Sequence, residues 1–112
     1  MPEQRGPDFR IFAVLVSAVP LSTALSVLLL QAARMLARSG AGPQQISGEL
    51  VRGRVWTDGR EARLGTLGGS LFEAEVETER GSGRVRFLVT PEGLEESGPA
   101  MPAAPRARSW LN

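Results

Sequence analysis

The sequence predicts a single transmembrane α-helix, followed by a small all-β domain (a four-stranded antiparallel meander) and an irregular C-terminal tail. Three observations predict this. The 23 residues from Ile11 to Ala33 carry no charge, polar and apolar residues then alternate between turn signals, and the last residues are rich in Pro and Ala. The expected segments are an N-terminal tail (1–10), the helix (11–38), a linker (39–45), the β domain (46–96) and the C-terminal tail (97–112).

The uncharged segment is long enough to cross a membrane. As a helix its 23 residues span about 34 Å, whereas the hydrocarbon core of a bilayer is about 30 Å thick. A buried helix of a globular domain and a cleaved signal peptide are the alternatives. The rest of the chain is too polar to surround a helix that is apolar on every side, and no clear cleavage site ends the segment. A retained membrane anchor is therefore favoured.

Several residues in and beside this helix have expected roles. Pro20 lacks the N–H that would bond the carbonyl four residues back, so it predicts a kink near mid-membrane. Small residues at every fourth position predict a face that packs against a partner helix. These helix-packing residues are Ala18, Ser22 and Ser26. The residues assigned to the membrane boundaries are Arg10, Arg34 and Arg38.

The arginines that flank the segment indicate its orientation. Two of them precede it and four follow within about twenty residues, and this asymmetry favours a cytoplasmic C-terminus. The expected location is therefore a membrane, with a bacterial inner membrane favoured.

Turn signals predict the registers of the β domain. Asp58-Gly59 predicts a two-residue hairpin, Gly68-Gly69 a three-residue loop, and residues 80–83 a longer loop. These turns place Leu64 opposite Phe72, and Val76 opposite Phe87. The resulting apolar face consists of Val51, Val55, Leu64, Phe72, Val76, Val85, Phe87 and Val89.

The reverse face of the predicted sheet carries opposite charges in cross-strand pairs. The expected pairs are Arg63 with Glu73, Glu77 with Arg86, and Glu79 with Arg84. Alternate glutamates on one strand lie too far apart to surround a single cation without further ligands. We therefore expect no metal site there.

A single sheet cannot bury its own apolar face, so the β domain is expected to lack a complete core. Unless the sheet curls into a barrel, Leu94, the C-terminal tail or another protein must then cover that face. Trp and Arg residues near the C-terminus are frequent interface anchors, but they suit a membrane surface equally well. The expected docking residues are Phe72, Val76, Phe87, Arg106, Arg108 and Trp110.

The composition excludes most catalytic chemistry. The chain contains no Cys and no His, so it lacks thiolate nucleophiles, the commonest metal ligand and the usual general base. Its net charge of +1 argues against a nucleic-acid binder. No phosphate-binding loop or nucleophile elbow is present. We expect no enzymatic activity, no cofactor, no metal, no nucleic acid and no small-molecule substrate.

Two functions remain open. The first is a non-catalytic accessory subunit of a larger integral-membrane complex of the respiratory, photosynthetic or secretion type, in contact with its protein subunits and the lipid bilayer. The second is an independent membrane-tethered β domain that acts as a ligand-binding module or an assembly chaperone. The first is favoured because it explains the helix, the sheet face and the tail together.

Overall fold

An antiparallel sheet with one helix across one of its faces forms most of the described chain. The structure is a computed structural model that describes residues 10–40 and 42–95. Its elements are β1 (Phe12–Ser17), α1 (Thr23–Ser39), β2 (Gln44–Ser47), β3 (Val51–Trp56), β4 (Glu61–Leu64), β5 (Leu67–Thr78), β6 (Gly81–Val89) and α2 (Pro91–Glu95). The strand order is β1-β6-β5-β3-β2. Strand β4 pairs with the first part of β5, and β3 pairs with the last part.

The predicted transmembrane helix is wrong. The uncharged segment contains strand β1, a loop, and the first part of α1. Neither helix in the described part of the chain combines the length and the hydropathy that a membrane crossing needs. This finding contradicts the predicted single span, the membrane location and the orientation derived from it. The fold is a mostly-β domain with six antiparallel strands in the described residues, and not a four-stranded meander on an anchor.

Pro20 lies in the loop before α1 and does not kink a helix. Proline disfavours the helical conformation in the residue before it and removes one backbone donor, so a helix cannot run through this point at low cost. Ser22 then caps α1, because its hydroxyl accepts a hydrogen bond from the Leu25 N–H at 3.1 Å. Upstream, the residues of β1 pair with β6. One uncharged run therefore holds two different elements.

Helix α1 carries the chain from one edge of the sheet to the other. Strands β1 and β2 are the two edges. A helix of 17 residues is about 26 Å long, and the outer strands of a five-strand sheet lie about 19 Å apart, so one diagonal crossing suffices. The helix is amphipathic, with buried apolar residues three or four positions apart. These are Leu25, Leu29, Leu30, Ala32, Ala33 and Leu36.

The hydrophobic core lies between α1 and the apolar face of the sheet. The Phe87 ring centre lies 5.4 Å from that of Phe12 and 5.5 Å from that of Phe72. Most of the predicted apolar face is buried, whereas Val51 is half-buried and Leu64 is 51% exposed. The prediction that another protein must complete the core is wrong, because the chain's own β1 and α1 join it.

The registers of β5 and β6 differ from the predicted ones, although the faces agree. Phe72 pairs with Phe87, and Thr78 pairs with Gly81, so Glu79-Arg80 forms a two-residue turn. The predicted register placed Val76 opposite Phe87. The difference is four residues, and an even shift leaves every side chain on its original face.

The predicted hairpin at Asp58-Gly59 is also wrong. Strands β3 and β4 both pair with β5, and residues 57–60 connect them along the same side of that strand. The Thr57 hydroxyl holds this connection to β5 by donating to the Leu71 carbonyl at 2.7 Å. The hairpin turn lies instead at residues 65–66, and the predicted loop at 68–69 belongs to β5.

Candidate functional site

An apolar groove opens at the N-terminal end of α1. Its walls are the start of α1, the turn between β2 and β3, and the turn between β5 and β6. Its volume is about 830 Å³, within the range of about 300–1,000 Å³ that is typical of binding clefts. We call it the end groove. Its apolar lining consists of Pro20, Ala24, Leu25, Val27, Leu28, Leu50 and Val51.

Hydrogen bonds within the chain hold the walls of the end groove. In the β2–β3 turn, the Gly48 N–H donates to the Val51 carbonyl at 2.7 Å. In the β5–β6 turn, the Thr78 hydroxyl donates to the Gly81 carbonyl at 2.9 Å and accepts from the Arg80 N–H at 3.0 Å. The capped start of α1 forms the third wall. The groove is thus shaped by three fixed backbone segments.

Leu50 is the most exposed large hydrophobic side chain of the end groove. It lies in the β2–β3 turn with 61% of its surface exposed, while Val27 and Leu28 beside it are half-buried. Removing a leucine side chain from water stabilises a complex by about 1.5–3 kcal/mol. The groove therefore offers apolar contact area that the described part of the chain leaves exposed.

Three charged side chains lie at the rim of the end groove. They are Glu49, Glu79 and Arg80, and all three are exposed. None of them forms an ion pair with another residue in the described part of the chain. The rim therefore carries a net charge of about −1, with two carboxylates available to a bound group.

The reverse face of the sheet is a second candidate surface, and it carries a network of Arg–Glu ion pairs. Glu75 lies between Arg54 and Arg84, with both nitrogen–oxygen distances at 3.4 Å. Two further pairs join Arg52 to Glu77 at 3.2 Å and Arg86 to Glu73 at 3.0 Å. Opposite charges across strands were predicted, but the change in register gives them different partners. Each exposed pair contributes about 0.2–1 kcal/mol.

Most charged side chains of the reverse face form ion pairs with one another. Its shallow cleft of about 480 Å³ is lined by the same paired arginines and glutamates. The Arg84 guanidinium also lies 5.7 Å from the centre of the Trp56 ring. Among the described residues, no three acidic, His or Cys side chains come together as metal ligands. The end groove, with its uncovered apolar side chains, is the better candidate.

The three predicted helix-packing residues do not form a stripe on one helix. Ala18 lies in the loop after β1, where its N–H donates to the Arg84 carbonyl at 2.9 Å. Ser22 is the helix cap, and only Ser26 lies inside α1. Ala18 directly follows β1 and Ser22 directly precedes α1, so the four-residue spacing does not place the three residues on one helix face.

The predicted docking residues on the sheet belong to the core. Phe72, Val76 and Phe87 are at most 2% exposed because α1 covers them. Their side chains contact this chain and are closed to a partner. Arg106, Arg108 and Trp110 lie outside the described residues.

The three arginines assigned to membrane boundaries occupy different environments. Arg10 is exposed just before β1, and Arg38 is exposed in the last turn of α1. Arg34 is only 6% exposed, and its Nε donates to the Gly93 carbonyl at 2.8 Å. This bond ties α2 to the middle of α1, so Arg34 has a structural role.

Sequence reasoning missed Leu50 and the rim glutamates. The signal available for Leu50 was a large apolar residue in Gly48-Glu49-Leu50, two positions after a glycine and directly before a strand. Turn positions are normally polar, so a leucine there indicates contact area. Only the fold brings this turn beside the start of α1.

Comparisons with protein-family models, with curated proteins and with solved structures gave no match.

Proposed function

We propose that this protein is a non-catalytic accessory subunit that binds an apolar segment of a partner protein in its end groove. The single observation that carries the proposal is the uncovered apolar lining, above all Leu50 at 61% exposure. The hydrophobic core is completed by the chain's own α1, and Leu50 lies outside that core, whereas Leu25 of the lining belongs to it and Leu28 packs against it. Contact area left outside a complete core is typical of interaction sites.

The predicted absence of enzymatic activity stays a prediction. The expected partners in an integral-membrane complex also stay a prediction, now without the span that suggested them. The proposal keeps the accessory role and moves the contact from the sheet face to the end groove.

The proposal can be tested by photo-crosslinking from Leu50. A photoreactive amino acid at position 50 is expected to capture one defined protein in the native host. The matched control is position 64, because Leu64 is also an exposed leucine, at 51%, and lies on the hairpin of β4 and β5. The captured protein is then purified, and its affinity for the full chain is measured by calorimetry.

Leu50→Asp is expected to weaken that binding about 10- to 100-fold, because it places a charge where an apolar contact forms. Leu64→Asp should leave the affinity within about twofold. Equal capture from both positions, or unchanged affinity of Leu50→Asp, would contradict the proposal. Circular dichroism of both variants checks that the fold is kept.

A further inference from the structure

We infer that the end groove selects a basic apolar segment, in which Arg or Lys flanks a short run of leucine-like side chains. This inference rests on the proposed function and adds the chemistry of the partner. It starts from the rim, where the carboxylates of Glu49 and Glu79 border the apolar lining. A segment with apolar side chains and flanking cations matches both features of the site.

The rim glutamates differ from those of the reverse face in one respect. On β5, Glu73, Glu75 and Glu77 each have an arginine of this chain within 3.4 Å. Glu49 and Glu79 have no such partner in the described residues. Cations of a bound segment can therefore approach them without breaking an existing pair.

The positions of Glu49 and Glu79 in the fold also favour a basic segment. Glu49 precedes Leu50 in one wall, and Glu79 lies at the tip of the β5–β6 turn in another. The two carboxylates thus belong to different walls of the groove. Arg80 reduces the charge of the rim but leaves it net negative. A partner with acidic flanks would meet two like charges, which disfavours it.

The experiment uses three synthetic peptides and the full chain. Each fluorescein-labelled peptide has four leucines around one alanine and blocked ends. The flanking residues are Arg in the first peptide, Gln in the second and Glu in the third. Fluorescence anisotropy measures binding at about 25 mM and about 300 mM NaCl, because salt screens exposed charges.

At low salt the Arg peptide is expected to bind about five- to tenfold more tightly than the Gln peptide, with the Glu peptide weakest. At high salt the three affinities should converge to within about twofold. Glu49→Gln with Glu79→Gln should remove the preference for Arg while leaving the affinity of the Gln peptide unchanged. Glu92→Gln, which changes an exposed glutamate on α2, is the control and should leave the preference intact.

The outcomes separate the inference from the proposed function. A Gln peptide that binds in a Leu50-dependent way, without preference for Arg, overturns the inference and leaves the proposed function standing. If no peptide binds in a Leu50-dependent way, both are overturned. If a chain ending at residue 95 binds the Arg peptide more than tenfold more tightly than the full chain, the occupant is the chain's own C-terminal segment, and the inference of a partner segment is overturned.

Discussion

At the residue scale, the tightest backbone contact in the sheet depends on Gly53. It lies in β3 opposite Val76, and an added Cβ would sit 2.1 Å from the Glu75 carbonyl oxygen. Real side chains do not approach backbone so closely, so any other residue would push β3 away from β5. Both strands carry residues of the core and of the ion-pair network. A substitution at this one position should therefore destabilise the whole sheet.

We expect Gly53→Ala to lower the free energy of unfolding by about 1–3 kcal/mol, because overpacking shifts the backbone. The matched control is Gly68→Ala, also in a strand, where the added Cβ would meet its nearest atom at an ordinary 3.7 Å. The control should be neutral or stabilising by up to about 1 kcal/mol, since alanine restricts the unfolded chain. Urea denaturation measures both. Equal effects of the two substitutions would contradict the close contact at Gly53.

At the element scale, the start of α1 determines where the strand ends and the helix begins. Ser22 marks this boundary through its bond to Leu25, and Ser26 lies one turn later. The two serines looked equivalent as members of a small-residue stripe. In the structure only the first has a capping role, so they should respond differently to the loss of the hydroxyl.

Ser22→Ala is expected to lower the free energy of unfolding by about 1 kcal/mol, because the cap bond is lost. Ser26→Ala should be neutral or stabilising by up to about 0.5 kcal/mol, since alanine favours the helix interior. Thermal unfolding followed by circular dichroism tests the pair. A larger loss for Ser26→Ala than for Ser22→Ala would contradict the capping role of Ser22.

At the scale of the whole molecule, the segment from Ile11 to Leu36 contributes about half of the buried core residues. The Phe12 ring packs at a tilt against Phe87, and the buried leucines of α1 cover the strands. Residues 10–40 are therefore part of one folding unit with the sheet. A truncation at the linker would therefore remove part of this folding unit.

The full chain is expected to unfold in one cooperative transition, whereas residues 43–112 alone should show broad unfolding or self-association. The fragment would expose the apolar face that α1 covers, including the 2% exposed Phe72 and the fully buried Phe87. Calorimetry and light scattering compare the two proteins. A sharp transition of the monomeric fragment would show that the sheet closes on itself without α1.

Much of the sheet could be predicted from the sequence because alternation is a local property. The strands from Val51 to Val89, the apolar and charged faces, and the pairing of opposite charges all follow from residues that alternate along each strand. The sequence could not predict the register, since the turn at Glu79-Arg80 competes with the glycines that follow it. Leu64 stays exposed although it was predicted to lie on the apolar face. Its strand, β4, pairs with β5 and lies outside the main strand order.

What the sequence by itself determined is which side chains leave water; what only the tertiary structure decided is where they go. An uncharged run such as residues 11–33 can leave water either in lipid or against the apolar face of a sheet, because hydropathy measures transfer out of water and not the destination. Pro20 and Ser22 split that run into β1 and α1, and each half then packs on the strands. The end groove has the same origin, because its walls are three segments that only the fold brings together.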